Sequence, residues 1–466
     1  MGKISSFYTM PHPPIVVPEV GKGEEKRIQK TYDACTEVAK QIANIKPDTI
    51  IIVTPHGPLF SNAIAVSAGE SVYGDLSRFR APDVQLDLPI DISLVEEIAA
   101  YSREDNIAVA KITKSEAEKY NVKYGLDHGS LIPLYFINRE YSDYKLVHIT
   151  YGTLSKTQLY KFGMNIKKAV EDSGKNVVFI ASGDLSHRLS EDGPYEYSFY
   201  GQEFDREIIS LLEKGDVLGV FNMNPFLIEE AGECGLRSYY IMLGAMEGYD
   251  IKGNLLSYEG TLGVGYSVME FVLEKSDEST YGLLLKDIQD KIKAGAATAD
   301  PHVRLASDSL TNFLINGDYI DTPSYVTDEM KNTKRGVFVT LKRDGALRGC
   351  VGTFLPTTES VSEEIIKNAV SAGIYDSRFL PVEVGELDEI KFSVDVLTEP
   401  QEASMEELDP KKYGVIVKSE SGVGLLLPDL EGVDTVEEQI DIALQKGGIS
   451  PDAEYTIEKF EVIRYR

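Results

Sequence analysis

The sequence predicts an α/β N-terminal domain, built on a central, mostly parallel or mixed sheet flanked by helices, followed by a smaller α+β domain. Three observations carry the prediction. Short apolar runs bounded by turns alternate with helical spacing through the first half of the chain. Thr49–Thr54 (Thr-Ile-Ile-Ile-Val-Thr), Leu146–Thr150 and Val177–Ser182 have the apolar content of buried central strands. Past the polar run 273–280, strands and helices come in clumps instead of alternating.

Taken in order, Ile4–Met10 reads as a short buried strand running into His12, although the opening Met-Gly-Lys-Ile-Ser-Ser also fits the loose myristoylation pattern of Gly2 with Ser6. Helical spacing occupies Lys26–Ile45, Leu94–Tyr101, Ser155–Asp172 and Phe204–Glu213. Gly235 opens a further helix over Leu236–Met246, with strands near Ile251–Ser257 and Val264–Val272. The stretch Leu-Glu-Lys-Ser-Asp-Glu-Ser-Thr at 273–280 loses its periodicity and turns polar, which places a linker there, between domains at 1–272 and 281–466. The second domain, of roughly 190 residues, starts with helices at Tyr281–Ala294 and Pro301–Asn316 and strands at Gly336–Leu341 and Gly345–Gly352. A helix at Val361–Gly373, strands near Ile390–Leu397, Gly414–Val417 and Gly424–Leu427, a helix at Val436–Lys446 and a last strand near Tyr455–Arg464 complete it.

Composition narrows the function. Of 466 residues, 42% are hydrophobic and 26% charged, which excludes wholesale disorder. Asp and Glu outnumber Lys and Arg by 75 to 47, a net charge of −28 that repels phosphate backbones, so nucleic acid is not an expected partner. No apolar run reaches the ~18 residues of a membrane span. The three cysteines, Cys35, Cys234 and Cys350, are far apart and odd in number, which argues against a disulfide framework and for the cytoplasm.

Five of the six histidines fall in the first 190 residues, which makes the N-terminal domain the chemical one. His12, His56, His128 and His187 sit in turns rich in Pro, Gly, Asp or Ser after strand-like runs, where side chains of an open α/β sheet converge on one crevice. His12 is flanked by prolines that stiffen its backbone, and His56 follows a buried strand with Gly57 beside it. Together they make two-thirds of a facial metal site for Fe(II), Zn or Cu; the plain alternative is two rigid turns with incidental imidazoles. His187 has Asp184 three residues before it, a carboxylate able to orient the ring of a general base, or else to cap a helix. His128 is a candidate substrate-orienting donor, His148 reads as a core residue and His302 as a surface one. The third ligand is open: Glu233 and Cys234 stand just before a helix between Gly232 and Gly235, and Glu259 is a further donor.

At these residues the chain resembles the class III extradiol dioxygenases (the LigB type) and the Memo-like proteins, over roughly 1–272. The matching order is the Pro-flanked His12, the Pro-His-Gly turn at His56, Asp-His-Gly-Ser at His128, Ser-Gly-Asp-Leu-Ser-His at His187 and a Cys-Gly motif opening a late helix. In the dioxygenases the first two histidines and a late Glu hold Fe(II), and a His at the position of His187 is the base. The resemblance therefore implies His12, His56 and His187 in those roles, with His128 secondary. Counted back from Ile-Met-Leu-Gly-Ala-Met, the dioxygenase Glu falls at Gly235 and the Memo-like Cys at Cys234, so the deciding position follows Memo. A thiolate there changes metal preference and redox potential relative to a carboxylate.

The second domain resembles the AMMECR family over roughly 281–466, through Gly-Ala-Leu-Arg-Gly-Cys-Val-Gly-Thr (345–353), Asp-Ser-Arg-Phe-Leu-Pro (376–381) and Gly-Leu-Leu-Leu-Pro-Asp (424–429). Arg348 and Arg378 are candidates to grip a carboxylate or phosphate of a substrate, with Cys350 beside them; the alternative is a Gly-rich strand with a buried thiol. The pair of resemblances marks the chain as similar to the AmmeMemoRadiSam system and implies a radical-SAM partner, since no cysteine triplet for an iron–sulfur cluster occurs here. The expectation is a metal-dependent, extradiol-dioxygenase-like oxidoreductase acting on a small molecule, most simply with Fe(II). The competing readings are a non-catalytic adaptor and a zinc hydrolase in the same pocket.

Overall fold

Ten strands organise the N-terminal half: β1 (Lys3–Met10), β2 (Thr49–Thr54), β3 (Ile64–Ser67), β4 (Ser71–Leu76), β5 (Ala81–Pro89), β6 (Val109–Ile112), β7 (Lys145–Thr150), β8 (Asn176–Ser182), β9 (Tyr249–Glu259) and β10 (Tyr266–Lys275). This is a computed structural model, which describes residues 1–296, 298–430 and 432–466. Eight of the strands form one mixed sheet in the order β6-β3-β7-β2-β8-β1-β10-β9, while β4 and β5 make a separate hairpin. Its centre is parallel, β7 with β2, β2 with β8 and β8 with β1. The antiparallel pairs β3–β7, β1–β10 and β9–β10 flank it. Every residue of β2 is buried, as its unbroken apolar run requires of a strand covered on both faces.

Two groups of helices cover the sheet: Gln29–Ile45 packs on His128–Glu140, and Lys156–Ser173 packs on both Ile92–Glu104 and Leu236–Ala245. Ser155 and Gln158 form a capping box that starts Lys156–Ser173, and Asp127 caps His128–Glu140 by accepting from the Ser130 N–H. The helix at His128 is absent from the sequence reading, in which Gly129 and Pro133 look like turn punctuation; His128 occupies its first position instead of a turn after a strand. Gly2 is buried and donates its N–H to the Glu171 carbonyl, in the helix Lys156–Ser173.

The chain divides into two compact units, Met1–Lys286 and Asp287–Arg466. Leu273–Lys275 continue β10 and a helix spans Thr280–Ala296, so only 276–279 of the polar stretch lie between elements. The second unit is α+β. β11 (Val337–Arg343), β12 (Ala346–Thr353), β13 (Ile390–Leu397) and β18 (Val462–Tyr465) form one antiparallel sheet. β14 (Gln401–Glu402), β15 (Gly414–Ser419), β16 (Gly422–Leu426) and β17 (Thr456–Phe460) form another. Where the sequence reads one final strand, β17 and β18 are separate and belong to different sheets. Helix Val361–Val370 packs on Pro301–Asn316 and on β11, burying Val337, Val339 and Leu341. Among the described residues, no helix is long and apolar enough to cross a membrane.

Candidate metal centre

The parallel centre of the sheet delivers its side chains to one end. β1 ends at Met10 and passes into His12, β2 ends at Thr54 and passes into His56, and β8 ends at Ser182 and passes into Asp184. These are the carboxyl ends of adjacent strands, the edge at which α/β sheets build their sites. A fourth segment reaches the same place from outside the sheet. Gly183 and Gly235 meet so closely that a Cβ on Gly183 would stand 2.1 Å from the Gly235 Cα, and this contact holds the Cys234 turn against the end of β8.

The donor atoms converge on His12, which is buried. Its Nε2 lies 3.0 Å from His56 Nε2, 3.7 Å from Cys234 Sγ and 3.8 Å from Asp184 Oδ2. Two sets, His12–His56–His128 and His12–Asp184–Cys234, each keep their ligand atoms within 4.8 Å of one another. With bonds of roughly 2.1 Å to nitrogen and 2.3 Å to sulfur, two ligands of one ion stand about 3.0–3.4 Å apart for N and N and about 3.1–3.6 Å for N and S. The His12–His56 spacing matches such an edge and the His12–Cys234 spacing lies about 0.1 Å beyond it, while His56 and Cys234 belong to different sets that share His12.

A hydrogen-bond chain fixes which nitrogen of His12 faces the site. The Ser182 hydroxyl donates to the Gly129 carbonyl at 2.5 Å, which uses its one proton, and it stands 2.9 Å from His12 Nδ1. Ser182 must then accept from Nδ1–H, leaving the Nε2 lone pair aimed at His56 and Cys234. Burial, and then the neighbouring His56 and His128, hold His12 well below the usual imidazole range, so it is neutral as ligation demands. Burial also lowers His56, and it lowers His128 to about 4 with help from His56 and Arg78. His128 stacks on His56, with ring centroids 4.3 Å apart.

Asp184 faces His12 rather than His187. Its carboxylate accepts the His12 N–H at 2.8 Å, its own N–H points at Cys234 Sγ at 3.3 Å, and burial pushes the carboxyl up to about 7. Burial raises the Cys234 thiol well above its usual range, with Asp184 adding to the rise. Glu233 turns away to accept the Leu236 N–H at 2.6 Å, capping the helix that follows, and it is likewise pushed up to about 7 by burial. Glu259 is tied to Thr31 through both its N–H and its hydroxyl. His187 stacks on Tyr195 at 5.0 Å, donates its backbone N–H to Ala231 and is lowered to about 4 by burial and by His56.

Sequence reasoning missed a second layer. His148 Nε2 lies 3.2 Å from the Asp127 carboxylate and 2.7 Å from Ser130 Oγ, while its Nδ1 meets Ser67 at 2.9 Å. Burial alone would raise Asp127, but hydrogen bonds from His148, Thr54 and Ser130 hold it below the usual carboxylate range. This network anchors the helix that carries His128 to β2 and β7. The signal was present in the polar residues ending each apolar run, Thr54, Thr150 and Ser182. The hairpin β4–β5 was also missed; its tip brings Phe79 to 5.4 Å from the His128 ring.

In the second unit both arginine forks are filled from within. Arg348 makes two 2.9 Å bonds to buried Glu386, which also holds Arg343, and Arg378 grips Asp376 at 2.8 and 2.6 Å. Cys350 contacts Thr340 at 3.3 Å and donates its N–H to Asp376. His302 is half-buried, stacked on Tyr465 with centroids 3.7 Å apart, rather than on the open surface.

Comparison with known proteins agrees with this division. The family model described as the catalytic LigB subunit of aromatic ring-opening dioxygenase matches residues 6–269, and that described as AMMECR1 matches 303–466. A Clostridium acetobutylicum protein is 51% identical over 464 residues, 99% of each chain. A Thermotoga maritima protein is 47% identical over 169 residues, 36% of this chain and 97% of that one. A solved structure of an uncharacterized protein from Pyrococcus horikoshii is 31% identical, with a TM-score of 0.32, over 35% of this chain and 88% of that one. With its histidines gathered at the carboxyl edge of the sheet and its first 269 residues matched almost end to end, this chain belongs to the LigB family and carries an AMMECR1 domain behind it.

Proposed function

We propose that the N-terminal unit is a metal-dependent enzyme whose ion is held by His12, His56 and Cys234, with iron the first candidate. The observation that supports this most is the orientation of His12: Ser182 and Gly129 commit its Nδ1, and the free Nε2 stands 3.0 Å from one nitrogen donor and 3.7 Å from a sulfur. Bound there, a divalent iron would supply redox and Lewis-acid chemistry at a centre softened by the thiolate.

The remaining residues act on the substrate. His187, held below the usual imidazole range and therefore neutral, accepts a proton from a bound hydroxyl. Tyr195 stacks on its ring and limits its rotation. His128 orients the substrate from its place between His56 and Phe79. Tyr151 donates its hydroxyl to the Cys234 carbonyl and steadies the ligand turn. The substrate class this fits is a small aromatic or enediol with an ionisable hydroxyl, and the reaction an oxidation, with a radical-SAM protein as working partner.

Metal analysis of protein purified without oxygen tests the reading. About one iron per chain, lost in Cys234→Ala and kept in Glu233→Ala, is expected. Loss with Glu233→Ala alone would move the third ligand to that carboxylate, zinc in place of iron would favour a hydrolase, and no metal in any variant would leave an adaptor. His187→Ala should keep its metal and lose turnover.

A further inference from the structure

A cavity lies in the AMMECR1 unit, on the face of the β12-β11-β13-β18 sheet turned away from Val337, Val339 and Leu341. Cross-strand partners in an antiparallel sheet point to the same side. The pairs Thr340–Cys350, Thr340–Ser393 and Lys342–Lys391, with Asp395–Arg464, therefore share this face. Towards its other end the face is covered by the second sheet, where Phe338 packs against the cluster of Ile416 and Phe460. Where that cover stops lies the cavity, of about 620 Å³, lined by Thr340, Lys342, Lys391, Ser393, Arg464 and Arg466 among others, within the roughly 300–1,000 Å³ of small-molecule sites.

The charges in this cavity are unusual for the chain. Lys342 and Lys391 stand directly opposite each other in the ladder, an arrangement that destabilises a sheet by mutual repulsion. Neither has an ion-pair partner among the described residues. Arg464 is offset by Asp395, with bonds of 2.8 and 2.9 Å, and among the described residues Asp395 is the one acidic side chain lining the cavity. Four cationic side chains thus meet one acidic side chain inside a chain whose net charge is −28. The hydroxyls of Thr340 and Ser393 are on the same face as the lysines, one pair further along the ladder.

We infer that this cavity binds a phosphate group, carried by a small molecule, between Lys342 and Lys391 with Thr340 and Ser393 donating from below. A dianion placed there removes the repulsion between the lysines and accepts hydrogen bonds from both hydroxyls. A nucleic acid is disfavoured by the charge of the whole chain. The arginines named by sequence, Arg348 and Arg378, do not take this role because Glu386 and Asp376 already fill them.

The test is calorimetric titration of the full chain at fixed ionic strength with inorganic phosphate, AMP and sodium chloride as probes. Wild type is expected to bind phosphate or AMP and not chloride, and the double variant Lys342→Ala/Lys391→Ala to lose at least tenfold in affinity. Lys367→Ala, on an exposed helix position, should bind as wild type does. AMP tighter than phosphate assigns the site to a phosphate ester; equal affinity assigns it to the free anion. Thermal unfolding supplies a second reading: in phosphate-free buffer the double variant should be at least as stable as wild type, and only wild type should gain stability on adding phosphate. Absence of binding by wild type, or unchanged binding by the double variant, overturns the proposal.

Discussion

The contact between Gly183 and Gly235 makes the candidate centre sensitive to a single methyl group. In Gly183→Ala the new Cβ would face the Gly235 Cα at 2.1 Å, its N at 3.0 Å and its carbonyl carbon at 3.3 Å, all backbone atoms with no rotamer to yield. Carbon atoms pack at ~3.5–4.0 Å, so the two turns must part by roughly 1.5 Å. Cys234 precedes Gly235 and would move with it, whereas a metal site tolerates ligand errors of about 0.2 Å. The sulfur, now 3.7 Å from His12 Nε2, would leave the donor set. Overpacking of this kind costs about 1–3 kcal/mol, which lowers the melting temperature without unfolding the unit. The assay is metal content together with the thiolate-to-metal absorption of cobalt-substituted protein, compared with Gly174→Ala. Gly174 also needs a special conformation, with φ of 73°, but a Cβ there meets nothing within 4 Å, so that variant should lose only about 1 kcal/mol of stability. Gly183→Ala with full metal content and an unchanged thiolate band would refute the reasoning that this contact positions Cys234.

Three further outcomes follow from the same structure. Ser182→Ala removes the acceptor that commits His12 Nδ1 and should weaken metal affinity by about 10–100-fold with the fold intact, measured by chelator competition. Asp205 accepts from the Ser186 N–H and the Tyr258 hydroxyl, and burial raises its carboxyl to about 7. The folded state therefore holds a proton that the unfolded state, with an ordinary carboxyl near 3.8, has lost, so this group makes stability fall as pH rises from about 4 to about 7. Asp205→Asn should flatten that slope, by up to about 4 kcal/mol in urea unfolding. Glu386→Gln leaves Arg343 and Arg348 without their buried carboxylate and should cost about 3–5 kcal/mol, lowering the melting of the AMMECR1 unit while the other transition stays in place.

The central strands were legible because a strand covered on both faces has to be apolar along its whole length, as β2 is. The peripheral hairpin β4–β5 was not: half of it faces solvent, and Gly74 and Asp75 interrupt the pattern a strand would show. The helix at His128 was hidden for a different reason. Gly129 and Pro133 are poor helix residues, but a Cβ at Gly129 would stand 2.5 Å from Thr54 Oγ1 and 3.3 Å from His56 Cδ2, so the glycine is there to let the helix approach β2. Local propensity was sacrificed to proximity at the site, which is where sequence rules fail for physical reasons.

The same distinction separates the residues that sequence could pair from those it could not. His12, His56, Asp184 and Cys234 each announced themselves by local context, yet Asp184 was assigned to His187 because it is three residues away. In the fold the end of β8 lies beside the end of β1, and the Asp184 carboxylate takes the His12 N–H across a separation of 172 residues. Arg348 repeats the lesson, with its fork closed by Glu386, 38 residues distant. A guanidinium or carboxylate near a motif is a free functional group only if the fold brings it no opposite charge. On that criterion Lys342 and Lys391 are among the cations left over in the AMMECR1 unit; they belong to no motif in the sequence and meet because β11 and β13 are adjacent.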